Sequence, residues 1–93
     1  PRQYILYQNY PNPFNPNTTI EYDLPRNSKV HLMIYNALGE KIVILVDKWQ
    51  PAGHYKVDWN GTNQTGKHVA SGVYFYQLHT EKFVQIKKML FVK

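Results

Sequence analysis

Hydrophobic and polar residues alternate with a period of two through most of this chain. Between Thr18 and Leu24 the apolar positions Ile20, Tyr22 and Leu24 share one face, and the run stops at Pro25, which cannot donate to a ladder. From Lys29 to Tyr35 the alternation is clearest: Val30, Leu32 and Ile34 point one way, Lys29, His31, Met33 and Tyr35 the other. Asn36-Ala37-Leu38-Gly39 has the chemistry of a type I turn. The returning stretch, Glu40 to Val46, is apolar on both faces, which predicts a central strand with Ile42 inward. Asp47 to Gly53, with Trp49 and Pro51, reads as a loop. His54 to Asn60 alternates again with Tyr55, Val57 and Trp59 inward, and Asn60 to Gly66 is a polar reversal. A strand follows over Val73 to His79, with Tyr74, Tyr76 and Leu78 assigned to the core against competition from Val73 and Phe75. A turn at Thr80-Glu81-Lys82 leads to the last strand, Phe83 to Val92.

The first strand, within Tyr4 to Tyr7, is short. Between Asn9 and Asn17 stand three prolines, at 11, 13 and 16, which hold φ near −65° and predict an ordered extended loop tied down by Tyr10 and Phe14. No stretch sustains an apolar period of 3.6. Six or seven short strands about ten residues apart predict an all-β fold, an immunoglobulin-like antiparallel β-sandwich of about seven strands in a single domain over residues 1–93.

At 11.0 kDa the chain suffices for one core and a folded surface of roughly 5,600 Å². Eight of its fourteen aromatic residues are tyrosines, a composition that favours strands. Cysteine is absent, which excludes a disulfide scaffold, a thiolate zinc site and a cysteine nucleophile. The net charge of +5 is mild, and Lys87-Lys88 is the only adjacent basic pair, so no nucleic-acid stripe is expected. The longest apolar run, Ile42 to Val46, is too short for a membrane span. The chain begins at Pro1 without an initiator methionine or a leader, so it is expected to be an excised piece of a longer secreted protein.

Candidate chemistry is sparse. The only serines, Ser28 and Ser71, sit in turns with no strand-to-helix elbow around them. Glu21 and Asp23 share an outward strand face and are expected to be solvated there, so no catalytic residues are assigned and the chain is not read as an enzyme. Four histidines, His31, His54, His68 and His79, lack metal-ligand spacing within any one element and are expected to be solvated; no metal and no cofactor are assigned. The Asn60–Gly66 loop lacks the acidic positions of a calcium loop. Trp49, Tyr10 and Tyr7 could form a flat platform for sugar rings, or equally cap the core.

Several segments taken together resemble a known family. Tyr7-Gln8-Asn9-Tyr10-Pro11-Asn12-Pro13-Phe14-Asn15-Pro16, then Thr19-Ile20-Glu21-Tyr22 and Leu24-Pro25, are similar to the opening of type A C-terminal sorting domains of the type IX secretion system. The likeness continues through Ile34-Tyr35-Asn36-Ala37-Leu38-Gly39, Gln50-Pro51-Ala52-Gly53-His54-Tyr55 and Trp59-Asn60-Gly61. It closes with Ala70-Ser71-Gly72-Val73-Tyr74-Phe75-Tyr76-Gln77-Leu78 and the tail Lys88-Met89-Leu90-Phe91-Val92-Lys93. The middle of the chain, especially Trp59-Asn60-Gly61 through Gly72-Val73-Tyr74, is also similar to the immunoglobulin-like module of flagellar hook-capping proteins. The first resemblance implies a non-catalytic sorting signal of a secreted or cell-surface protein that passes through the periplasm. Its implied partners are an outer-membrane translocon, a sortase-like surface protease and an N-terminal cargo domain in the same chain. Neither nucleic acid nor membrane insertion is implied, and the domain is expected to be monomeric. Within that resemblance the expected recognition residues are Lys88, Met89, Leu90, Phe91, Val92 and Lys93 with Pro11, Asn12, Pro13 and Phe14. The alternative is an immunoglobulin-like spacer or carbohydrate-binding module.

Overall fold

The computed structural model describes residues 1–93 and contains seven strands: β1 (Ile5–Leu6), β2 (Thr18–Leu24), β3 (Ser28–Asn36), β4 (Lys41–Gln50), β5 (Gly53–Trp59), β6 (Gly72–His79) and β7 (Val84–Phe91). They form two antiparallel sheets, one ordered β1-β2-β5 and the other β4-β3-β6-β7. The pleat aims every second side chain at the opposite sheet. Ile20, Tyr22 and Leu24 of β2 accordingly meet Val30, Leu32 and Ile34 of β3, all six fully buried. On β6 the inward positions are Tyr74, Tyr76 and Leu78, so Val73 and Phe75 lose the competition for the core. The exposed surface of 5538 Å² matches the scaling expected for one domain of this mass.

The aromatic end of the core is built around Trp59, whose ring lies 5.4 Å from Tyr74 and 5.6 Å from Phe14 while its indole N–H donates to the Thr62 carbonyl at 2.9 Å. Tyr74 stands at the start of β6 and donates its hydroxyl to the Ala70 carbonyl at 2.6 Å, the tyrosine corner of immunoglobulin-like sandwiches. Gly61 packs beneath Phe91 with φ +76°, and a Cβ there would lie 2.9 Å from the Phe91 ring. Only glycine satisfies both conditions. The turn at Asn36 to Gly39 forms as its sequence predicts, the Gly39 N–H donating to the Asn36 carbonyl at 3.0 Å.

The structure corrects the reading of residues 40–53. β4 lies at the edge of its sheet, not at the centre, and runs on through Asp47, Lys48, Trp49 and Gln50, which pair with the start of β3 instead of looping out. Its inward residues are Val43 and Val46, with Ile42 only partly buried. Their spacing of three is possible because two bulges insert Leu45 and Ile42 opposite the Leu32/Met33 and Ile34/Tyr35 steps of β3. The outer edge of β4 is covered by Gln64: its N–H donates to the Ile42 carbonyl at 3.0 Å, and its Oε1 accepts the Ile44 N–H at 2.9 Å. An edge strand roofed in this way tolerates apolar residues on both faces. Tyr55 and Val57 keep the inward phase expected of them but are only partly buried, because β5 is also an edge.

Candidate recognition surface

The proline-rich loop and the last strand, more than seventy residues apart in sequence, are joined side by side. Phe14 N–H donates to the Leu90 carbonyl at 3.0 Å, and Val92 N–H donates to the Phe14 carbonyl at 3.0 Å. Asn12 Oδ1 accepts the Leu90 N–H at 2.9 Å, and Gln8 Nε2 donates to the Lys88 carbonyl at 2.8 Å. Side chains reinforce the seam: the Phe14 ring stacks on Phe91 with centroids 4.9 Å apart and planes inclined by 8°. Phe14 and Phe91 also form an isolated parallel bridge.

Loop rigidity comes from a buried polar knot. Asn9 is buried; its N–H donates to Tyr76 Oη at 2.8 Å and its Nδ2 to Thr18 Oγ1 at 2.9 Å. Tyr76 donates onward to the Tyr7 carbonyl at 2.8 Å, and Thr18 to the Pro11 carbonyl at 2.9 Å. Burial pushes the Tyr76 hydroxyl up to about 12, so it stays neutral and keeps its proton to donate. Of the two aromatic residues expected to tie the loop down, Phe14 does so, whereas the Tyr10 side chain is 78% exposed and only its backbone is paired, with Thr19.

The residues expected to carry recognition divide by burial. Phe14, Met89 and Phe91 belong to the core, whereas Pro11, Asn12, Pro13, Lys88, Leu90, Val92 and Lys93 face solvent along the seam. Trp49, Tyr10 and Tyr7 lie apart: Trp49 is exposed on β4, Tyr10 in the loop, and Tyr7 against His54 of β5, with no ring contact between any two of the three.

The expectation that Asp23 is solvated is overturned, and His54, outward and exposed as expected, is paired and not free. His54 and Asp23 are register partners on β5 and β2, and Asp23 is buried, not solvated. His54 Nδ1 lies 2.5 Å from Asp23 Oδ1 and its Nε2 2.7 Å from Glu21 Oε1, while Tyr7 donates to the other Asp23 oxygen at 2.6 Å. A neutral imidazole has one N–H and cannot donate to both carboxylates; the imidazolium can. The hydrogen bonds to Asp23 and then Glu21 accordingly raise the His54 pKa above its ordinary value of 6.5. At Asp23 burial works against ionisation, but hydrogen bonds from Tyr7 and His54 prevail and hold the carboxyl below its ordinary 3.8. His31, likewise expected to be solvated, pairs with Asp47 at 3.0 Å and tilts against His79, ring centroids 6.0 Å apart. No three His, Asp or Glu side chains are placed to hold a metal ion.

Sequence reasoning passed over Asn9, Thr18, Gln8 and the Asp23–His54 pair. The signal for the last was the register itself, because pairing Thr18 with Trp59 forces Asp23 opposite His54.

Among solved structures, the chain is similar to PorZ, an essential bacterial surface component of the type-IX secretion system of human oral-microbiomic Porphyromonas gingivalis. The TM-score is 0.58 at 22% identity, covering 97% of this chain and 11% of that one, so the likeness is one of fold and this chain spans only a small part of that protein's length. No curated protein sequence matches it. The FlgD Ig-like domain family matches residues 15–82, from the end of the proline-rich loop to the turn before β7. With the sandwich, the tyrosine corner and a match over most of its length, the chain belongs to the FlgD Ig-like domain family.

Proposed function

We propose that this domain is a non-catalytic sorting signal, read in its folded state by an outer-membrane translocon of the type IX kind and carried by a secreted or cell-surface protein. One observation carries the reading. The proline-rich opening and the lysine-bearing tail on which the sorting-domain resemblance rests are fastened into one surface by four hydrogen bonds and a ring stack. Both lie largely outside the stretch matched by the FlgD Ig-like family. The fold likeness to a component of a type IX secretion system is compatible with this reading. In this mechanism the sandwich holds Pro11, Asn12, Pro13, Lys88, Leu90, Val92 and Lys93 in fixed geometry, so the translocon pays little ordering entropy on binding. Cargo on the N-terminal side follows, and a sortase-like protease acts afterwards at the cell surface.

The test is a fluorescent reporter fused to residues 1–93 in a type IX-competent bacterium. The fusion is exported, and the double variant Leu90→Ser/Val92→Ser lowers export at least tenfold while its urea midpoint stays close to that of the parent. Export of that variant at the parental level, or retention of the parent fusion, overturns the proposal.

A further inference from the structure

The seam with the proline-rich loop protects only part of the β7 edge. Leu90 and Val92 turn their backbone groups towards the loop, so by alternation Val84, Ile86 and Lys88 turn theirs the same way, away from β6. The Lys88 carbonyl is taken by Gln8, but no segment bonds to the outward N–H and C=O of Val84 and Ile86 or to the Lys88 N–H. The side chains here are apolar and exposed, 54% at both Val84 and Ile86. β4, by contrast, has the Ile42–Ile44 stretch of its edge roofed by Gln64 and carries Asp47 and Lys48 exposed beyond it, and β5 carries His54, Lys56 and Asp58 outward. An open, apolar edge of this kind is a template for another strand.

We infer that Val84–Lys88 is a strand-addition site for an extended peptide with alternating apolar side chains and acidic residues at its ends. Charge selects this occupant over a second copy of the chain. Self-pairing that uses the Lys88 carbonyl or Leu90 is blocked by Gln8 and Asn12. Of the antiparallel registers left, the one that pairs Val84 with Ile86, centred on Gln85, brings Lys82 of each copy towards Lys88 of the other. β7 itself has two lysines and no acid, so acidic flanks on the incoming strand meet Lys82 and Lys88 favourably. The site meets the surface proposed for export only at Lys88; Leu90 and Val92, which carry the export test, lie beyond the protected point.

The experiment is an amide NMR titration of the ¹⁵N-labelled domain with an end-blocked octapeptide alternating valine and threonine between terminal aspartates. Binding shifts the Val84, Ile86 and Lys88 amides and slows their exchange. It weakens about tenfold or more in Ile86→Pro, which removes one edge donor at a position where an edge strand tolerates proline. The same weakening is expected with lysines in place of the peptide's aspartates. A urea midpoint of Ile86→Pro close to that of the parent shows that its loss of binding is not unfolding, and Ile86→Lys, which keeps the backbone donor, retains the exchange protection. Unperturbed β7 amides at millimolar peptide, shifts centred elsewhere, or self-association through β7 in place of peptide binding overturns the inference. Export of the reporter fusion is unaffected by Ile86→Pro, so the two proposals fail separately.

Discussion

Trp59 closes one end of the sandwich with three aromatic neighbours and a satisfied indole N–H, and it is almost fully buried. Trp59→Ala therefore removes a large core side chain and leaves the Thr62 carbonyl without its donor; a loss of about 3–5 kcal/mol in urea unfolding is expected. At the opposite face His54 makes stability depend on pH. Because its pKa is raised on folding, its contribution is complete below the ordinary value of 6.5 and is lost as pH rises through the folded value. Asp23, lowered on folding, contributes above its ordinary 3.8 and loses that contribution as pH falls through its folded value. The clasp is thus strongest between about pH 4 and 6.5. Urea midpoints measured from pH 5 to 9 should decline on the alkaline side, and His54→Asn should flatten that decline. Neither partner was visible as a pair in the sequence: they lie thirty-one residues apart, and only the β2–β5 register brings them together.

Among the elements, β7 serves two ends at once, its odd positions Met89 and Phe91 filling the core while its even positions face solvent. Ending the chain after Lys88 removes both core residues together with the seam to Phe14, so the truncated domain should not fold. Circular dichroism and a missing cooperative urea transition would check this; a truncated chain with a parental midpoint would contradict the packing described. Loss of export on such a truncation would report unfolding and not recognition, which is why the surface variants Leu90→Ser and Val92→Ser carry the export test. Strand phases were legible wherever alternation was clean, as in β2, β3 and β6. β4 was misplaced because a run of five apolar residues reads alike in a central strand and in a bulged edge strand with a loop folded over it. Nothing local distinguishes the two, since Gln64 lies in a separate turn.

Across the whole molecule, the architecture followed from strand spacing and turn chemistry, and the order of motifs located the segments that meet at the seam. Their contact depended on side-chain bonds from Gln8 and Asn12 and on the Asn9–Thr18–Tyr76 knot, polar pairings whose partners are distant in sequence. The seam gives the domain a mechanical character. Residues 8–14 and 88–92 run in the same direction where Phe14 meets Phe91. Tension applied upstream of Gln8 and downstream of Val92 slides these segments past each other and loads their bonds in shear, together and not one after another. A pulling machine would find this domain hard to unravel from its ends.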